Sequence, residues 1–269
     1  MRTIRRITGI EGLRSGSTAR VKLPVNRRYF GLDFYVTLDG VATAVASVIG
    51  RVRLYVNGLP MWDLPASMVL AEDGRVGLAL ATGHLPLQFA DPDRADKIDE
   101  QVTAWNLFGE TSFEIEFEIL TQTAGVVVGL EGLAVFDYGQ TITADGKALK
   151  QVVKKFTVGK NANAGLNDLD NLPIRDAIQR LSFYGATLPT AFTIDADQNR
   201  VIEATVAQLN TLYSAYGVSA VAGSVPVRFD YTERIDDFLV VRKDLNVRFD
   251  MPSAAAVTVL VQTLAPAFI

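Results

Sequence analysis

Three glutamates stand at alternate positions in Phe113-Glu114-Ile115-Glu116-Phe117-Glu118-Ile119. In a β-strand this spacing puts all three carboxylates on one face and the aromatic and branched side chains on the other. Paired carboxylates on one face can hydrolyse a glycosidic bond, one as acid and one as nucleophile or base. A second acidic spacing, Asp195-x-Asp197-x-Asn199, has the opening of a calcium loop. The rest of an EF-hand is missing, since the required Gly at position six is Arg200 and the required Glu at position twelve is Val206. A solvated turn after a strand accounts for this segment. Asp91, Asp93, Asp96 and Asp99 form a further acidic cluster, read as a solvated loop.

The glutamate strand resembles the E-x-D-x-E strand of retaining β-glucanases, with Glu116 where Asp is expected. Only two tryptophans, Trp62 and Trp105, are available to line a sugar cleft. Other chemistries are excluded by composition. There is no cysteine, hence no thiolate nucleophile, disulfide or thiolate metal site. The one histidine, His84, lies in Thr82-Gly83-His84-Leu85-Pro86, which reads as a turn entering a strand. A catalytic triad would have to use it, and no sequence feature supplies the geometry of one.

Charge is unevenly spread. Residues 1–28 hold Arg2, Arg5, Arg6, Arg14, Arg20, Lys22, Arg27 and Arg28 against Glu11, a net +7. With −4 for the whole chain, the remainder carries −11. A basic head on an acidic body suits an anionic surface, a membrane or an acidic neighbouring subunit. Basic residues are not interleaved with aromatics, so no nucleic-acid groove stands out and no direct nucleic-acid partner is expected. No signal peptide follows Arg2, Arg5 and Arg6. Met251–Ile269 has 19 residues without a charge, but two prolines and alternation favour a buried strand over a membrane helix.

The chain also repeats itself. Arg5-Arg6-Ile7-Thr8 returns 149 positions later as Lys154-Lys155-Phe156-Thr157, and Leu23-Pro24 and Phe34-Tyr35 return at the same offset as Leu172-Pro173 and Phe183-Tyr184. At offset 140, Leu85–Phe89 matches Val225–Phe229. At offset 132, Phe113, Ile115, Phe117 and Ile119 match Leu245, Val247, Phe249 and Met251, and Ala124–Phe136 matches Ala256–Phe268. Two copies of one domain follow, residues 1–138 and 139–269, joined through Asp137–Lys147.

Strand signals dominate both copies, among them Arg51–Val56 with an Asn57-Gly58 hairpin turn, and Ala191–Ile194. Pro86 and Pro226 each interrupt a β run, which points to edge positions or strand starts. One helical stretch is expected per copy: Leu64–Glu72 with Asp63 as N-cap and Pro65 in the first turn, and Arg200–Tyr216 closed by Gly217. About eight short strands plus one helix per copy predict an all-β chain of two antiparallel sandwiches.

Several segments resemble the double jelly-roll major capsid proteins of tailless icosahedral membrane-containing bacteriophages, of the corticovirus type. They are Arg2, Gly16-Ser17-Thr18-Ala19-Arg20-Val21-Lys22-Leu23-Pro24, Val52–Pro60, Glu114–Ile119, Asp170-Asn171-Leu172-Pro173, Phe192-Thr193-Ile194-Asp195 and Tyr216-Gly217. The resemblance spans nearly the whole chain. It implies two tandem eight-stranded jelly rolls with no enzymatic activity, and a homotrimer whose six sandwiches form a pseudo-hexagonal capsomer. It also implies contacts with neighbouring capsomers and with minor capsid or vertex proteins, and assembly in the host cytoplasm into a virion with an internal membrane. No cofactor is implied beyond the calcium that some relatives bind in the virion. Arg2, Arg5 and Arg6 then become membrane-proximal candidates. The other reading is a carbohydrate-active or carbohydrate-binding β-sandwich using Glu114, Glu116 and Glu118, which requires a groove lined by Trp62 and Trp105.

Overall fold

The period-two stretches are strands whose alternate side chains are buried. The structure, a computed structural model, describes residues 2–75, 80–90, 97–140, 151–170, 172, 176–219, 221–232 and 234–266. It divides into two units, the first built on Met1–Gly74 and Leu78–Val153, the second on Lys154–Ala265.

In chain order the first unit contains strands β1 (Thr3–Ile7), β2 (Thr18–Leu23), β3 (Arg28–Leu38), β4 (Val41–Ala42), β5 (Ile49–Val56) and β6 (Leu59–Pro65). Helix α1 (Ala66–Arg75), β7 (His84–Gln88), helix α2 (Lys97–Thr103), β8 (Trp105–Asn106), β9 (Phe113–Ile119) and β10 (Val128–Asp137) follow. One sheet runs β1-β10-β3, with β7 and the short β4 and β8 also pairing β3; the other runs β6-β5-β9-β2. Strand β11 (Gln151–Ala162) opens in the first unit, which extends to Val153, and the second unit continues with β12 (Gly165–Leu169), β13 (Ala177–Tyr184), β14 (Ala191–Ala196) and β15 (Asn199–Thr205). Helix α3 (Val206–Ala215), β16 (Ser224–Arg228), β17 (Leu245–Met251) and β18 (Ala255–Pro266) complete it. Its sheets run β16-β13-β18-β11 and β12-β17-β14-β15.

The two units share one winding. In each, the first strand pairs beside the last, and the second beside the next to last. This is the jelly roll, and most of the repeated segments fall on equivalent strands: β1 and β11, β3 and β13, β7 and β16, β9 and β17, β10 and β18, while Leu23 ends β2 and Leu172 lies beyond β12. Leu172 is described but its neighbour Pro173 lies outside the described residues. Pro86 and Pro226 sit on β7 and β16, which occupy outer positions beside β3 and β13, where a missing N–H costs no ladder bond.

Each core is aromatic. In the first unit Phe89 stacks on Trp105 at 4.4 Å, Trp62 meets Trp105 edge-on at 5.9 Å, and Phe34 meets Phe117 edge-on at 4.8 Å. In the second, Phe183 lies 4.9 Å from Phe192 and 5.3 Å from Phe249.

Helix positions differ from the sequence expectation. Arg200–Thr205 is not helical. Asp197 and Gln198 both have positive φ, 48° and 67°, and make a two-residue hairpin turn that sends the chain back along β14 as β15. Thr205 then caps α3 in a capping box with Gln208. The expected stop holds, with Gly217 at φ 78° after the last turn. In the first unit Asp63, Leu64 and Pro65 belong to β6, paired with Arg53, Val52 and Arg51, so Asp63 is no N-cap and the helix starts at Ala66. The Asn57-Gly58 turn forms as expected, both residues at positive φ. Helix α2 is an addition to the single helix expected for this copy. Of the connector Asp137–Lys147, residues beyond Gln140 lie outside the described residues. The apolar stretch after Met251 is a short turn and β18, and no described helix is long and apolar enough to cross a membrane.

Phe117 is fully buried at the centre of the first core. Phe117→Ala is expected to cost about 3–5 kcal/mol, the usual loss for a buried phenylalanine with its cavity, read as a shift in the guanidinium unfolding curve.

Candidate functional site

The three glutamates lie on the outer face of β9, between β2 and β5. Lys22 Nζ is 3.1 Å from Glu114, Arg20 Nη2 is 2.8 Å from Glu116, and Arg53 Nη2 is 3.6 Å from Glu118. The Tyr55 hydroxyl donates to Glu116 at 3.3 Å, and partial burial followed by that carboxylate raises the pKa of the phenol. On the far side of β5, Arg51 and Arg53 both reach Asp63, Arg53 at 3.2 Å. The face is a ladder of alternating charge across four strands, each carboxylate occupied by a neighbour. Such cross-strand pairs fix register. The carbohydrate reading fails at the tryptophans. Both are completely buried, Trp62 donating its indole N–H to the Val153 carbonyl at 2.7 Å within the first unit. No aromatic platform from either stands beside the glutamates.

His84 opens β7, with Nε2 2.8 Å from Asp33 Oδ1 on β3 and its ring stacked on Tyr35 at 5.2 Å. Asp195 is held by Arg200 at 2.5 Å and Arg248 at 2.7 Å, which lower its pKa, Arg200 contributing more. Asp197 accepts from the backbone N–H groups of Lys243 at 2.7 Å, Arg242 at 3.0 Å and Asp244 at 3.3 Å. It ties the β14–β15 turn to the loop before β17. The calcium-like spacing is therefore a turn whose carboxylates serve guanidinium and backbone donors. Asp91, Asp93 and Asp96 lie outside the described residues, as does the Asp99 side chain.

Of the basic head, Arg2 pairs with Glu100 at 2.5 Å and lies over the Phe30 ring, and Arg6 pairs with Glu131 at 2.8 Å. Arg5 is exposed on β1 and makes no ion pair among the described residues. Sequence reasoning missed the buried charges. Asp230, with no exposed surface, receives Arg180 and Arg228 at 2.9 Å each and the Gln179 amide at 2.7 Å. Arg28 is likewise buried against Asp137 at 2.7 Å. The available signal was an arginine inside each largely apolar strand run, Ala177–Tyr184 and Val225–Phe229.

Two jelly rolls in tandem, with ionisable groups committed to one another, define the class of double jelly-roll shell proteins. Residues 4–137 match the family model for the viral coat protein P2 N-terminal domain, and residues 151–267 match that for its C-terminal domain. The chain belongs to the viral coat protein P2 family. Among solved structures it is similar to the major capsid protein P2 of bacteriophage PM2, with 17% identity, a TM-score of 0.85, and coverage of 98% of this chain and 97% of that one. The Sulfolobus turreted icosahedral virus structure follows at 12% identity and TM-score 0.69, covering 98% and 91%. The Faustovirus major capsid protein is similar at 8% and 0.63, covering 98% and 90%. No curated protein matches. The chain is a viral coat protein, a structural component of the virion shell.

Asp197 supplies a pH test. Backbone donation from Lys243 and Arg242 holds its carboxyl below the usual carboxylate range. A carboxyl depressed by folding stabilises the fold above its unfolded value, about 3.9, and loses that contribution as pH falls through the lower folded value. Asp197→Asn is expected to be less stable than the parent at neutral pH, with the gap closing in that acid window. Thermal unfolding as a function of pH checks this.

Proposed function

We propose that three copies of the chain form a pseudo-hexagonal capsomer, and that these capsomers tile an icosahedral shell around the internal membrane of a tailless bacteriophage. The observation that carries the reading is the shared winding of the two units. Two sandwiches of one design per chain give six around a threefold axis, which is close to hexagonal and packs a surface without large gaps. Closed cyclic assembly is the common solution for identical chains. The division into jelly rolls is placed at residues 1–138 and 139–269, and neighbouring capsomers and minor proteins at the vertices are the further partners. Light scattering of the purified protein should give about 88 kDa, three times the 29.2 kDa chain. A monomer at assembly concentrations refutes the trimer.

The membrane-facing part of the proposal rests on Arg2, Arg5 and Arg6. Arg5 is the best placed, since its charge is not spent on an ion pair among the described residues. Each basic group near an anionic bilayer contributes on the order of 1 kcal/mol, and many copies add by avidity. Flotation with phosphatidylglycerol vesicles should show binding that weakens with salt and falls several-fold in a triple variant carrying Arg2→Gln, Arg5→Gln and Arg6→Gln. Equal flotation of the variant rejects the lipid role.

A further inference from the structure

One strand edge in the first unit is covered where its counterpart in the second unit is bare. Beside β6 lie the opening residues of β11. Val153, which belongs to the first unit, accepts the Trp62 indole hydrogen bond at 2.7 Å. Met61, Trp62, Val152 and Val153 are all at most 4% exposed. The internal repeat gives each of these residues a counterpart. At offset 149 Val153 corresponds to Ile4 on β1. At offset 140, which also aligns the junctions Pro65–Ala66 and Thr205–Val206, Met61 and Trp62 correspond to Val201 and Ile202 on β15.

Among the described residues no strand covers the counterparts. β1 and β15 each end their sheet. Ile4 is 66% exposed and Val201 42%, and Ile202 is only partly buried. An edge strand with apolar side chains and unpaired backbone groups is a template for another strand. Among the described residues β1 and β15 lack the neighbour that their counterparts have, and they are complementary halves of one contact.

We infer that β15 of one copy receives β1 of the next copy along its free edge, repeating between chains the contact that β6 makes with the start of β11. This rests on the trimer reading and names its surface. The contact is head-to-tail, so each chain gives β1 to one neighbour and β15 to the other, and three such contacts close a ring. Ile4 packs against Val201 and Ile202. Ile202 has no donor equivalent to the Trp62 indole, so this contact is apolar where the internal one carries a hydrogen bond. Glu203 on β15, with its side chain 70% exposed, already pairs with Arg200 at 2.6 Å, so the contact does not depend on a charge pair with Arg5 or Arg6. The pairing uses the backbone edge of β1 and leaves its guanidinium groups on the sheet faces.

The chain has no cysteine, which permits a clean crosslinking test. A double variant, Ile4→Cys with Val201→Cys, treated with a short bismaleimide, should run as a covalent trimer on a denaturing gel, while each single variant stays at monomer size. A double variant that scatters light as a trimer yet gives no crosslink overturns this contact and leaves the trimer standing. A chain that is monomeric by light scattering defeats the trimer reading itself. As a second measurement, Ile4→Lys with Val201→Lys places charges at positions exposed in the single chain. It should keep the circular dichroism of the parent and weaken trimer association at least tenfold. Unchanged association also overturns the contact.

Discussion

A one-residue slip of β9 would turn Glu114, Glu116 and Glu118 into the core and expose Phe113, Ile115, Phe117 and Ile119. Strand side chains alternate with a period of two, so no intermediate arrangement exists. Burying three carboxylates away from their cations costs far more than the fold can spare. The central position of β9, hydrogen-bonded to β2 on one side and β5 on the other, spreads this restriction over the sheet. The ladder of Arg20, Lys22, Arg53 and Glu residues adds little net stability per pair at the surface, and it sets opposite charges facing each other across the strands. The feature that most resembled catalytic apparatus is the one that sets the strand in place.

The second copy shows which part of that arrangement the fold needs. β17 keeps apolar residues at the inward positions, with Val247, Phe249 and Met251 buried. Its outward positions are Asn246, Arg248 and Asp250, and the charge pattern of β9 is gone. Each copy solves its buried charges differently as well. The first places Arg28 against Asp137 at the end of β10, while the second surrounds Asp230 with Arg180 and Arg228. A buried carboxylate facing two guanidinium groups is costly to bring out of water and costlier to leave half-paired. Such groups specify an arrangement more than they strengthen it. A shell protein needs shape and surfaces that recur faithfully, and its ionisable groups are spent accordingly.

Much of the architecture was legible because it rests on patterns that tertiary structure reinforces. The repeat, the alternation in β9 and β17, the prolines on β7 and β16, the Asn57-Gly58 turn and the Gly217 stop all have a local cause. The errors have causes too. Val201 and Thr205 fit helical spacing, but the turn before them is made by Asp197 and Gln198, residues without the glycine signal that usually marks a two-residue hairpin. Asp63 looked like a cap because caps and strand carboxylates are the same residue type; its role is set by Arg51 and Arg53 on the neighbouring β5. Helix α2 has only seven residues, too short for a periodic signal. Trp62 and Trp105 have an amphipathic side chain suited equally to a sugar cleft and a core, and only burial decides between them. The pairing of Arg2 with Glu100 and of Arg6 with Glu131 joins segments 98 and 125 residues apart. No local rule reaches that far.

Strand β1 is synthesised long before its partner β10, with which it pairs Thr3 opposite Phe136 and Ile7 opposite Gly132. During translation the opening strand must wait for more than a hundred residues before its hydrogen-bonding partner exists. Loop closure over such a distance is slow, and unpaired β segments aggregate while they wait. Arg2, Arg5 and Arg6 break up what would otherwise be a sticky nascent segment, a gatekeeping duty that ends when β10 arrives. The order of synthesis thus gives those guanidinium groups a task before any particle exists.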